Sequence, residues 1–258
     1  MKLIFIGGAE GSGTTLLLRL LSVPDVCASL GGNFVKVPHH PDARLLVKAF
    51  QDANSRLWDR KLSRSDHEKA RGDWHVVTEQ ILHSPAFSGL THLIFKRSFP
   101  FNQPRDRYTP DIWDSLELLL DTRIVIIYRN PCATTFSAFR RGFDSDLRRL
   151  AVVCSEQLTW LAGQARAIGP DFVRIISYAS MCEDPITTLA SLTEFCGIPF
   201  DPIRLAMQGQ KLEGGTDSRY SRELERSDLD WLEAFFDAGR RRQWDVLERG
   251  FNPVSVKL

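Results

Sequence analysis

Ser12, Thr14 and Thr15 are interleaved with Gly7, Gly8, Gly11 and Gly13. Glycines let the backbone turn several N–H groups one way, and hydroxyls add further donors, a combination suited to phosphate or another tetrahedral oxyanion. From Gly8, four residues lead to Gly13, where a nucleotide-triphosphate loop would continue with Lys and then Ser or Thr; here Thr14-Thr15 follows. The lysine that holds β- and γ-phosphates is missing. A P-loop kinase using ATP and Mg²⁺ therefore loses its central charge, while anion binding by N–H groups and hydroxyls survives.

Cations follow at intervals. Lys96-Arg97 comes directly after the apolar run His92-Leu93-Ile94-Phe95, and Arg129-Asn130-Pro131 directly after Ile124-Val125-Ile126-Ile127-Tyr128. Behind the second run lie Thr134, Thr135, Ser137, Arg140 and Arg141. A planar guanidinium with a hydroxyl beside a helix start suits contact with a phosphate at two or three points. The tail adds Arg219 in a polar loop with Gly214, Gly215 and Tyr220.

These residues need a scaffold, and the hydrophobic pattern supplies one. Leu3 to Ile6 read as a strand, and Leu16, Leu17, Leu20 and Leu21 as one face of a helix, so the glycine loop joins strand to helix. Further strands are expected at 92–95, 123–128 and 173–178, with short ones near Val26 to Ala28 or Asn33 to Val37. Helices are expected at 110–120, from Pro131 under an Asn130 cap, at 146–167, from Pro185 under Asp184, and after Ser227. Alternation of strand and helix with right-handed crossovers gives one α/β domain over residues 1–258, a central and mostly parallel sheet with helices on both faces, similar to P-loop nucleotide-binding folds. In such sheets ligands gather beyond the carboxyl ends of the strands, where the glycine loop and the basic residues fall.

Residues 38–87 are more charged and read as a mainly helical insertion that covers the site and shapes an acceptor pocket. They hold five of the six histidines, His39, His40, His67, His75 and His83. Thirty-three basic against 32 acidic residues give a net charge of +1, so no global field attracts nucleic acid or a membrane surface, and anion binding must be local. No run approaches the roughly 18 apolar residues a membrane-spanning helix needs. The five cysteines, Cys27, Cys132, Cys154, Cys182 and Cys196, form no C-x-x-C pair, which points to reduced thiols and a cytoplasmic location.

Ser12-Gly13-Thr14-Thr15 with its glycines, Lys96 after a strand, Arg129-Asn130-Pro131 with Ser137, Tyr178 before Asp184-Pro185, and Phe195-Cys196-Gly197 together resemble the PAPS-dependent sulfotransferases, of the bacterial and Golgi type, from residue 3 to about residue 200. The resemblance implies transfer of a sulfuryl group from 3′-phosphoadenosine 5′-phosphosulfate (PAPS) to a hydroxyl or amine of a small-molecule, carbohydrate or lipid acceptor, without a metal, leaving adenosine 3′,5′-bisphosphate (PAP). It also implies that Gly11, Ser12, Gly13, Thr14 and Thr15 cradle the 5′-phosphosulfate, that Arg129 and Ser137 hold the 3′-phosphate, and that Lys96 and Thr14 lie at the transferred group. The sequence departs from the pattern at Gly11, where relatives commonly carry Lys or Arg; either a donor contact is missing or Arg97 or Arg219 supplies it. The general base cannot be carried across either, because Gly31-Gly32-Asn33 stands where some relatives have a glutamate. His39, His40, His75, His83 and Glu79 are the candidates, with His40 nearest in sequence. The alternatives are the kinase already described and a nucleotide-binding module that no longer catalyses, for which Glu10 and Gly11 speak.

Overall fold

The computed structural model describes residues 1–31, 34–57, 63–99, 121–202, 218–237 and 242–251. The expected helix at 110–120, Gly32, Asn33 and the polar residues 214–217 lie outside them.

Six strands form one sheet: β1 (Lys2–Ala9), β2 (Cys27–Gly31), β3 (Phe34–Lys36), β4 (His92–Phe99), β5 (Thr122–Tyr128) and β6 (Val173–Ser177). Their order is β3-β2-β4-β1-β5-β6, with every pairing parallel except β2 with β3. β1 is central. Its odd residues Leu3, Phe5 and Ala9 enter one apolar cluster and its even residues Ile4 and Ile6 the other, as the period of two dictates for a strand buried on both faces.

Helices cover both faces. On one lie α1 (Thr14–Leu21), α6 (Tyr178–Glu183) and α7 (Pro185–Cys196), packed through Leu17, Leu18, Met181 and Leu192. On the other lie α2 (Pro41–Leu57), α3 (Arg64–His83), α4 (Pro131–Arg140) and α5 (Leu147–Ile168). The short α8 (Arg219–Glu223), α9 (Arg226–Phe235) and α10 (Asp245–Arg249) close the tail. Leu232, Phe236, Trp244 and Leu247 from this tail are buried in the same cluster as α5. Each such side chain removed from water contributes about 1.5–3 kcal/mol before conformational entropy is counted.

Three boundaries differ from the sequence reading. β4 runs on through Lys96, Arg97 and Ser98 to Phe99, pairing Lys96 with Ile6, Arg97 with Gly7 and Ser98 with Gly8. The side-chain-free glycines of β1 leave room for polar residues to continue the ladder beside them. Lys96 therefore lies inside the strand rather than beyond it. Tyr178 opens α6 instead of ending β6. Ser227 lies in the first turn of α9, whose N-cap is Glu225, and α10 follows further on. Within 38–87, α2 and α3 also carry part of the core: Phe50, Trp74 and Phe95 meet at centroid separations of 5.5–5.9 Å.

Candidate functional site

The glycine loop sits between β1 and α1, and its conformation depends on glycine at two places. Gly11 and Gly13 have φ of 96° and 102°, a region costly for any residue with a Cβ. A Cβ on Gly11 would also lie 3.0 Å from the Thr134 carbonyl, and one on Gly13 2.9 Å from the Tyr178 ring. A basic side chain at this position, as the resemblance implies, has no room without a shift of α4. The cation beside Gly11 is instead Arg141, whose Nη2 approaches to 3.0 Å of that Cβ position. Arg97 and Arg219, expected to fill this role, line other walls.

α1 begins with no side chain capping it, whereas Asn130, Asp146 and Asp184 cap α4, α5 and α7. Its first-turn N–H groups remain directed at the loop, and the buried Ser12 hydroxyl has no hydrogen-bond partner among the described residues. Both features fit an anion seated on the loop. The Asn130 side chain accepts from the N–H groups of Cys132 and Ala133 at 2.9 and 3.3 Å, so the start of α4 is sealed and contributes side chains rather than backbone donors.

Those side chains build a cavity of about 390 Å³, lined by Arg129, Arg140, Arg141, Arg219, Ser137, Phe136 and Tyr178 among others. Arg129 is buried; its Nη1 donates to the Gly11 carbonyl at 3.0 Å and its guanidinium lies 4.5 Å from the centroid of the Tyr178 ring. Arg141 donates from Nε to the Ser137 carbonyl at 3.0 Å and from Nη2 to the Ser137 hydroxyl at 3.4 Å. Arg140 and Arg219 both pair with Glu223, at 3.4 and 3.6 Å. Among the described residues, four guanidinium groups thus converge on one concavity against two carboxylates, Glu223 and Glu10, which suits a polyanion with a flat aromatic portion.

Across the loop, a second cavity of about 430 Å³ is lined by Glu10, Leu30, Gly31, Phe50, Gln51, Asn54, Ser55, Lys96, Arg97 and Ser98. Strand alternation places Lys96 and Ser98 on the α1 face of β4 and Arg97 on the α2 face. The stem of Lys96 passes over Gly31, where a Cβ would come within 2.6 Å of its Cγ. Lys96 Nζ donates to Ser98 Oγ at 3.4 Å, and Ser98 Oγ shares a 2.6 Å hydrogen bond with Thr14 Oγ1. Burial holds the Lys96 ammonium below the usual lysine range; Glu10 pulls it back up, while Arg97 and Arg141 push it further down. An anion arriving on the loop adds negative charge beside this partly desolvated ammonium.

The residues read from sequence separate into two groups. Arg129, Ser137 and Arg219 line the arginine cavity, Gly11 and Gly13 of the loop abut its Arg141 and Tyr178, and Thr14 is linked through Ser98 to Lys96 at the wall of the second cavity. The histidines do not join them. His40 Nδ1 accepts from the Asp42 backbone N–H at 3.2 Å, at the start of α2. His39 lines a cavity with Asp25 and Cys27, where β2 begins, at the opposite rim of the sheet. His75 is buried edge-on against Trp74, and Glu79 and His83 are exposed on α3. Sequence reasoning missed Ser98 and the ion pair between Arg141 and Glu10 (3.1 Å). The alternation after Ile94 was the available signal for Ser98. Among the described residues no cluster of three or more His, Cys, Asp or Glu could hold a metal, and no helix is long and apolar enough to cross a membrane. All five cysteines are free thiols, and Cys27, Cys132, Cys154 and Cys196 are buried.

The model of the family described as "Sulfotransferase family" matches residues 4–202. Among solved structures, the sulfotransferase domain from the curacin biosynthetic pathway superposes with a TM-score of 0.58 at 15% identity, covering 96% of this chain and 97% of that one. A sulfotransferase from Alicyclobacillus acidocaldarius gives 0.55 at 17%, covering 96% of each chain. The sulfotransferase domain of the Synechococcus PCC 7002 olefin synthase gives 0.53 at 16%, covering 90% and 93%. At such identities the likeness establishes the fold. No curated protein matches the chain.

Proposed function

The chain belongs to the sulfotransferase family, and from that premise we propose that it moves a sulfuryl group from PAPS to a hydroxyl or amine of a small-molecule, carbohydrate or lipid acceptor, with PAP as the second product and no metal. The observation that carries this reading is a pair of adjoining anion sites, the glycine loop with the uncapped start of α1 and the cavity of four arginines, with the Lys96 cavity on the other side of the loop. A lone triphosphate needs one anion site; a donor with anionic groups at both ends of adenosine needs two.

Bound PAPS supplies an activated sulfuryl group on a good leaving phosphate. The protein's part follows from its residues. Gly11 to Thr15 hold the 5′ end through N–H groups and hydroxyls, with the open start of α1 behind them. Arg129 and Ser137 hold the 3′-phosphate, with Arg141 and Arg219 closing the same cavity. Lys96 and Thr14, linked through Ser98, face the bridging oxygen on which charge grows during transfer, and they stabilise that charge more than the ground state.

The α2 residues Gln51, Asn54 and Ser55, on one wall of the second cavity, support residues 38–87 as the acceptor-binding part of a single domain. Neutral polar and charged groups outnumber Leu30 and Phe50 there, which favours a carbohydrate or other polar acceptor over a lipid. Buried reduced thiols support a cytoplasmic location. Transfer of labelled sulfate from PAPS to a panel of sugar, phenol and amine acceptors tests the reading: labelled product appears with at least one polar acceptor, and bound PAP without any transfer across the panel would instead identify an inactive nucleotide-binding module.

A further inference from the structure

The acceptor hydroxyl must lose a proton as it is sulfated, so the cavity that receives it needs a base within hydrogen-bond reach. Among the described residues lining the second cavity there is no histidine, and Glu10 is the one carboxylate. Gln51, Asn54, Ser55 and Ser98 bring neutral groups, and Lys96 and Arg97 bring cations. His40 is taken up at the start of α2 and His75 in the core.

Glu10 directly follows β1 and directly precedes Gly11, so the segment that binds the anion also presents this carboxylate. An acidic side chain beside an anion site repels the ligand unless a cation offsets it. Arg141 does so, donating from Nη1 to Glu10 Oε1 at 3.1 Å across the loop. Arg141 lines the arginine cavity and Glu10 the other, so the ion pair spans the two. Glu10 Oε2 has no hydrogen bond among the described residues, and the side chain is 20% exposed, enough to pass a proton on to water.

Resting on the donor reading above, we propose that Glu10 is the catalytic base, whose Oε2 takes the proton from the acceptor hydroxyl held in the second cavity. As the acceptor oxygen forms its bond to sulfur, the bond from sulfur to the 5′-phosphate oxygen breaks and its electron pair stays on that phosphate. The acceptor proton moves to Glu10, and nothing is oxidised or reduced. Glu10 and Lys96 line the same cavity, so the base and the cation that stabilises the leaving phosphate both face the transferred group. Among the described residues, Arg141 from the end of α4 and Lys96 and Arg97 from β4 are the charged groups facing the carboxylate, and the α2 wall contributes none.

The variants are Glu10→Gln and Glu10→Asp. PAP affinity is read by calorimetry, and release of labelled sulfate from PAPS is followed with water and excess glycerol as acceptors. Glu10→Gln should bind PAP as tightly as wild type or more so, since a negative charge has gone, while sulfuryl transfer falls about 100-fold or more. The wild-type rate should fall at acid pH as the carboxylate protonates. That limb should vanish in Glu10→Gln and persist, at lower rate, in Glu10→Asp. A Glu10→Gln protein with wild-type rate and pH profile would overturn the proposal. So would one that loses PAP affinity in step with rate, because Glu10 would then be a strut of the donor loop. A wild-type protein that neither binds PAP nor releases sulfate would overturn the donor reading, and this one with it.

Discussion

Thr14 Oγ1 and Ser98 Oγ lie 2.6 Å apart, joining the first residue of α1 to the carboxyl end of β4, and Lys96 Nζ reaches the same Ser98 oxygen at 3.4 Å. One hydroxyl thus sets the spacing between the loop and its cation. Replacing Ser98 by Ala removes the link without removing either partner. Turnover should fall roughly tenfold, the kinetic equivalent of one hydrogen bond worth about 1.4 kcal/mol, with PAP affinity little changed. Steady-state rates beside a binding titration check this, and a loss confined to binding would contradict it.

Lys96 is a charged group kept in a partly desolvated place by the fold. Because its folded pKa lies below the unfolded value, the folded chain binds fewer protons between the two, and the ligand-free protein gains stability as pH rises through that window. Lys96→Met removes the penalty. The variant should be more stable than wild type at neutral pH, and the gap should close on approaching the ordinary lysine range, as read from urea midpoints over a pH series. Lys96→Ala should lower kcat more than donor affinity; equal losses would make Lys96 a ground-state contact.

Arg129 holds the loop through the Gly11 carbonyl while lying over Tyr178. Arg129→Ala should weaken PAP binding by about 1.5–3 kcal/mol, the range for a hydrogen bond to a charged group. Arg129→Lys should recover only part, because an ammonium cannot reproduce the fork or the stacking. Calorimetric titration decides, and unchanged affinity in Arg129→Ala would remove the residue from the site.

Two glycine substitutions should move in opposite directions. A Cβ at Gly31 would lie 2.4 Å from Leu18 Cδ2 and 2.6 Å from Lys96 Cγ, so Gly31→Ala should cost about 1–3 kcal/mol and displace the lysine. Gly163, exposed in α5, has nothing within 4 Å of its Cβ position, and Gly163→Ala should stabilise by about 0.5–1 kcal/mol. Chemical denaturation of both variants tests the packing on which the Lys96 geometry depends.

Sequence alone carried the features with local causes. The strand, glycine loop and helix from Leu3 to Leu21 are visible because hydrophobic period and composition change across the loop, and Asn130-Pro131 and Asp184-Pro185 mark helix starts because capping is a short-range bond. The end of β4 was not visible: Lys96-Arg97-Ser98 looks like a loop until Gly7 and Gly8 are known to lie beside it. The same limit hid the couplings at the site. Thr14 and Ser98 are separated by 84 positions, and Glu10 and Arg141 by 131, so neither pairing has a local signature. His40 is near the expected base position in sequence only, because β3 runs antiparallel to β2 and returns the chain to the far rim of the sheet before α2 begins.

The most direct measurement is the melting temperature with adenosine 3′,5′-bisphosphate compared with that in ATP and Mg²⁺. At a hundredfold excess over Kd, a specific ligand adds about 2.7 kcal/mol, or roughly 5–10 °C for a chain of this size. The paired anion sites, glycine loop and arginine cavity, predict that shift for the bisphosphate and a far smaller one for ATP with Mg²⁺. Stabilisation by ATP with Mg²⁺ alone would contradict it.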